Sequence, residues 1–217
     1  MSYLDLVKEL VRLASISDSG GPTTTAGQTG DYLKAVKYVT AAHEEVQGMF
    51  FDWDFLWSNA TLDTSAGLAT YAGAPDLGVW DVDRIYYNGV KLRRVVWQSY
   101  TPTVTSGPPS WFTVRPDNSI LIGPTPDAAY TITYDYYKAP KVLSVDSDVP
   151  DIPAQFHRVI VGRALMLYGN FESAPDAKVQ GQELYMAYLE QLKAHQLARR
   201  QQTHGRGASE ALVSVVV

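Results

Sequence analysis

The chain has 217 residues, 46% hydrophobic and 19% charged, with a formal net charge of −5, a pI near 5.3 and no cysteine. That is enough apolar material for a real core, in one domain or in one domain carrying a large insertion. The acidic balance argues against a general grip on nucleic acid, the lack of cysteine excludes disulfides and thiolate zinc sites, and no apolar run approaches the roughly 18 residues of a membrane span.

The N-terminal MSYLDLVKELVRLAS carries Tyr3, Leu6, Val7, Leu10, Val11 and Leu13 at helical spacing, and Asp5 makes it unlike a signal peptide. A Ser/Gly/Thr loop, SDSGGPTTTAGQTG, follows. Tyr32, Val36, Val39, Val46, Met49, Phe50, Trp53, Leu56 and Trp57 then predict one long amphipathic helix from about Asp31 to Trp57, with Asp31 as its N-cap. Its aromatic end, MFFDWDFLW, reads either as a core anchor where helix meets sheet or as a subunit interface through Phe50, Trp53 and Trp57.

Between about 60 and 143 the period changes to alternation broken by Gly and Pro. Asn88-Gly89, between IYY and VKL, predicts a type I′ hairpin, and Asp117-Asn118, between FTV and ILI, a second turn. These runs predict an antiparallel β insertion of about six strands, a small barrel or sandwich. Helical periodicity returns after Pro153 through Phe156, Ile160, Ala164 and Leu167, with Gly169-Asn170 as its end. Ala174-Pro175-Asp176 opens a last helix running to Arg199 and Arg200. The fold class is therefore α+β: a helical bundle (1–58 plus 151–202), a β insertion (59–150) and an extended C-terminal tail (203–217). The tail is apolar and β-branched, with Leu212, Val213, Val215, Val216 and Val217.

Catalytic and metal signatures are missing. His43, His157, His195 and His204 stand at no ligand spacing. The run Asp146, Asp148, Asp151 lacks the glycine and glutamate of a calcium loop, so its carboxylates are expected to cap the Pro153 helix. Asp52 and Asp54 are two apart and point to different helix faces, a poor acid–base pair. No enzyme activity and no cofactor is expected. Lys91, Arg93, Arg94, Trp97 and Tyr100 interleave cations and aromatics, a pattern that fits single-strand binding or, better, a half-exposed strand. An alternative function is a carbohydrate- or ligand-binding module that stacks on Trp97, Tyr100 and Trp111.

One stretch, SILIGPTPDAAYTITYDYYKAPKVLSVDSDVPDIPAQFHRVIVGRALMLYGNF, carries a family likeness. Its P-x-P break, aromatic YTITYDYY strand, D-x-P-x-I-P turn and FHRVIVGRAL helix, behind a helix ending in FDWDFLW, resemble the head-to-tail adaptor (connector) proteins of tailed bacteriophages. The likeness spans about residues 1–200. It implies a structural virion protein at the head–tail neck, assembled in the host cytoplasm as a homo-oligomeric ring, commonly of twelve subunits. Such a ring sits under the portal protein, seals the packaged head and docks the tail or nozzle protein, with genomic DNA passing through its lumen without sequence-specific binding. The resemblance also implies that residues 203–217 order against the portal, which would give Leu212, Val213, Val215, Val216 and Val217 a receiver.

Overall fold

A computed structural model of the chain describes residues 1–16, 21–102 and 105–197. It contains two compact units, one built from Met1–Phe55 with Pro140–Val217 and the other from Leu56–Ala139. Residues 140–150, expected in the β insertion, thus fall with the helices.

The reason lies at the first helix, α1 (Tyr3–Leu13). Its N-terminus carries a capping box: Asp5 N–H donates to the Ser2 hydroxyl at 3.3 Å, and Ser2 N–H donates to the Asp5 carboxylate at 2.9 Å. Two more of the N–H groups that a helix start leaves unpaired are met from far along the chain. Tyr3 N–H donates to Asp148 O at 2.7 Å, and Leu4 N–H to Asp146 O at 3.2 Å. The Asp146 carboxylate accepts from both the N–H and the hydroxyl of Thr25 at 2.6 Å, while that of Asp148 accepts from Ser144 N–H and Val145 N–H. These donors hold both carboxyls below the ordinary range. Asp146 and Asp148 therefore do not cap the Pro153 helix as expected. They brace the loop that receives α1, which then buries Leu6, Val7, Leu10 and Val11.

The second helix, α2 (Gly30–Gly48), is capped at Thr29 and not at Asp31, and it stops nine residues short of Trp57. The apolar spacing continues past Gly48, but tertiary packing uses it differently. Phe50, Trp53 and Phe55 gather in an aromatic knot, closed by Phe55 N–H donating to Gln196 Oε1 at 2.9 Å. The helix ends at Gly48, with Met49 as its C-cap.

A 3-10 turn (Ala154–Phe156) leads into α3 (Arg158–Phe171), which continues two residues past Gly169. Next comes α4 (Pro175–Gln196), with Pro175 in the first turn as expected. The path towards Arg199 and Arg200 lies outside the described residues. The α3–α4 hairpin packs backbone on backbone. A Cβ on Gly162 would lie 2.6 Å from Tyr185 N, on Gly169 2.6 Å from Lys178 N, and on Gly181 2.7 Å from Met166 N. Gly169 is thus part of a helix–helix seam and not a helix stop. Inside this unit His43 is fully buried, with the Gln47 amide donating to its ring and Lys141 N–H donating to Gln47 Oε1 at 3.0 Å. Burial, then the nearby His157 and Lys141, push the His43 pKa down to about 4.

Among its described residues the β unit has eight strands: β1 (Trp57–Asp63), β2 (Thr70–Tyr71), β3 (Leu77–Tyr87), β4 (Val90–Lys91), β5 (Arg93–Arg94), β6 (Trp111–Val114), β7 (Ile120–Gly123) and β8 (Thr131–Lys138). They form two sheets, β1-β8-β3-β4 and β2-β7-β6-β5. Asn88 and Gly89 both take positive φ, 52° and 77°, and join β3 to β4 as the turn chemistry predicts. Asn118, at φ 62°, sits in the β6–β7 turn. Pairing between the strands is antiparallel except for β5 with β6, which run parallel, as the long connection between them allows. Leu92 bridges the sheets: its N–H donates to Ile85 O in the first, and the next N–H, of Arg93, to Ser110 O in the second. Leu92 is buried with Trp80, Ile85, Phe112, Ile120, Ile122 and Ile132 in one core.

Two outcomes test this packing. Gly162→Ala should destabilise the helical unit by about 1–3 kcal/mol through overpacking, more than the helix propensity it gains, and lower the thermal midpoint by roughly 5 °C in calorimetry. Because the folded His43 pKa is depressed, the unfolded chain binds its proton first, so stability is full above about pH 6.5 and falls towards pH 4. Urea midpoints should therefore drop between pH 6.5 and 4.5, and a His43→Gln variant should show a shallower slope.

Candidate functional site

The expected interface aromatics are distributed over both units. Trp53 is fully buried, ring-to-ring with Phe50 at 5.0 Å and Phe55 at 5.5 Å, so its surface is already spent inside the helical unit. Phe50 is half-buried, while its neighbour Phe51, not singled out from the sequence, is 62% exposed. Trp57 belongs to the β unit. It stands 42% exposed on β1, and its indole N–H donates to Asp135 at 3.2 Å. Leu212, Val213, Val215, Val216, Val217 and His204 lie outside the described residues. Among the described residues no group of three or more His, Asp or Glu could hold a metal ion. His157 is buried and donates from Nε2 to Ile152 O at 2.8 Å, and His195 contacts Gln196 and Phe156.

The residues that do converge lie in the β unit, around β5. Arg93 and Arg94 are exposed on this edge strand, which among the described residues pairs with β6 on one side only. Val95 N–H donates to Phe112 O at 2.8 Å and extends the pairing by one bond. A 3-10 turn (Trp97–Ser99) then lifts Trp97 off the sheet. Its ring stacks on Tyr100 at 5.6 Å with an interplanar angle of 19°, and Tyr100 leans on Trp111 at 5.7 Å and 44°. Trp111 can lie there because its cross-strand partner is Gly123, where a Cβ would come within 2.1 Å of the indole.

Arg115 completes the cluster from the β6–β7 turn. Its guanidinium sits 5.6 Å from the Trp97 ring centroid, a cation–π distance, and its Nε is buried with no acceptor. Asp117, two residues on, approaches it to 3.6 Å. The Ser119 hydroxyl and N–H, more than Arg115, hold the Asp117 carboxyl below its usual range. The Asp117 carboxylate therefore serves its own turn first and the Arg115 guanidinium second.

Lys91, from the same basic run, turns away to pair with Asp83 at 3.2 Å. Trp97, Tyr100 and Trp111, read as a sugar-stacking platform, are brought together but form a bent ladder with Arg115 against one of its ends. Arg115 itself was not singled out from WFTVRP. It is 18 residues from Trp97, and nothing local marks the pairing.

Gly123→Ala should therefore leave the core intact but displace Trp111 and unstack Tyr100. Near-UV circular dichroism should lose aromatic intensity, with the far-UV spectrum unchanged.

No curated protein matches the sequence. A family model described as SU10 adaptor protein matches residues 1–210, nearly the whole chain. The order of elements agrees with the α+β architecture expected of such a protein, helices before and after an interrupting β region. With that match the chain belongs to the SU10 adaptor protein family, the head-to-tail adaptors of phages.

Proposed function

We propose that this chain is a non-enzymatic structural part of the phage neck, assembling in the host cytoplasm as a ring, by resemblance of twelve subunits, beneath the portal. In that position it seals the filled head, docks the tail or nozzle protein and lets DNA pass through its lumen. The observation that carries the reading is the family match over residues 1–210, since adaptors of this kind associate with portal and tail proteins. Two physical features support it. A net charge of −5 favours DNA sliding over DNA retention. Exposed aromatic groups, Phe51 in the helical unit and Trp57 in the β unit, offer the kind of side chain that subunit interfaces bury.

The portal-docking segment in this reading is the tail, through Leu212, Val213, Val215, Val216 and Val217. Extended β-branched segments add to sheet edges or fill apolar grooves of a partner. The test is to mix the purified chain with its phage's portal and image the particles by negative stain, beside a variant lacking residues 212–217. The full chain should form rings on the portal. The shortened one should keep its thermal midpoint and lose most of its attachment. A full chain that stays monomeric with portal present would overturn the adaptor assignment, and a shortened chain that fails to fold would show that the tail is core.

A further inference from the structure

The cluster around β5 borders a pocket of about 390 Å³ within the β unit. One wall comes from β3, where an irregularity re-aims the strand: β3 advances from Trp80 to Ile85 while its partner β8 advances only from Tyr136 to Tyr134. That bulge turns Val82 into the pocket, opposite Arg94, Val96 and Trp97, with Arg115 and Asn118 closing the end. Two kinds of surface meet there. Val96 is 52% exposed and Val79 39%, an apolar floor open to solvent. Two arginines line the pocket, Arg94 and Arg115, and Arg93 precedes Arg94 on the same strand. Arg93 and Arg94 have no ion-pair partner among the described residues, and Arg115 has only the 3.6 Å approach of Asp117. In a chain with a net charge of −5, this is a local excess of positive charge along the open edge of a strand.

We infer that this edge and pocket receive an extended acidic segment of a partner protein, one that alternates carboxylate and apolar side chains. The backbone of such a segment adds to the free edge of β5. Its carboxylates meet Arg94 and Arg115, and an apolar side chain between them seats on Val96 and Val82. Alternation follows from strand geometry, because successive side chains point to opposite faces. Arginine forks bind carboxylates in two-pronged fashion; Arg94 has no ion-pair partner among the described residues, and Arg115, held 5.6 Å from the Trp97 centroid, has one carboxylate, Asp117, at the long distance of 3.6 Å.

Charge alone would also admit a phosphate backbone, but single strands are held by bases stacked on free aromatic faces. Here Trp97 is stacked on Tyr100 and faced by Arg115, and Tyr100 leans on Trp111, so the rings are engaged with one another. The same engagement counts against a sugar platform. This inference stands on the pocket and not on the adaptor reading, so either can fail alone.

The experiment uses the full chain and a fluorescein-labelled, end-capped nine-residue peptide alternating glutamate and valine, followed by anisotropy. Binding should saturate and weaken with salt. It should fall about tenfold or more in Arg94→Glu and in Val96→Glu, the scale of one lost charge-assisted contact. Both positions are exposed, and far-UV circular dichroism checks that the variants fold. Lys91→Glu, which changes a cation already paired with Asp83, should alter binding by less than about twofold. Four results would overturn the inference: no binding, equal binding of a lysine–valine peptide, displacement of the peptide by a dT oligonucleotide, or indifference to Arg94→Glu and Val96→Glu. A change of oligomeric state in Arg94→Glu without peptide binding would give the edge to a second copy of this chain and overturn it as well.

Discussion

The β unit depends on a single residue's change of allegiance. Leu92 gives its N–H to the first sheet, and Arg93 gives the next one to the second. A strand can serve two sheets only by turning a corner between them, and the corner holds because the Leu92 side chain is buried in the shared core. Everything about the candidate site follows from that turn. Before it, the chain is a hairpin arm tied to β3. After it, the chain is an edge, with one side paired to β6 and the other free. Arg93 and Arg94 make up that edge strand, and the 3-10 turn carrying Trp97 comes shortly after it.

The helical unit solves a different problem, how to bring helices close with little aliphatic bulk on one seam. Gly162, Gly169 and Gly181 let α3 and α4 approach until main chain touches main chain. Dispersion between closely fitted backbones replaces interdigitated side chains there, and it tolerates no added methyl group. The larger apolar residues are then free for the other faces, where Leu6, Leu10, Ile160 and Leu165 are completely buried.

Local chemistry was legible in the sequence, and long-range chemistry was not. Asn88-Gly89 and Asp117-Asn118 announce turns because positive φ is a property of the residues themselves. The apolar stripe of α1 is equally self-contained. The extension of α2 to Trp57 failed because a period of three or four also suits a 3-10 turn and a knot of aromatics, and only the acceptor at Gln196 decides between them. The acidic run near 146 was misassigned for a similar reason: its recipients, Thr25 and the start of α1, lie more than a hundred residues away. At the site, each aromatic of the ladder was visible as a residue, but the Arg115–Trp97 contact and the bulge that admits Val82 exist only after the sheets have formed.

The bonds from Tyr3 and Leu4 to residues 146–148 also set an order of events. A ribosome delivers α1 and α2 first, yet the carbonyls that receive α1 emerge about 140 residues later. The β unit, by contrast, is one uninterrupted stretch, Leu56–Ala139, and has all its pairing partners as soon as β8 is out. During synthesis the middle of this protein can close while its beginning is still waiting for its end. Loop-closure cost grows only slowly with the length enclosed, so the wait costs little in stability. It is a matter of time: a nascent chain with two amphipathic helices exposed depends on the prompt arrival of α3 and α4.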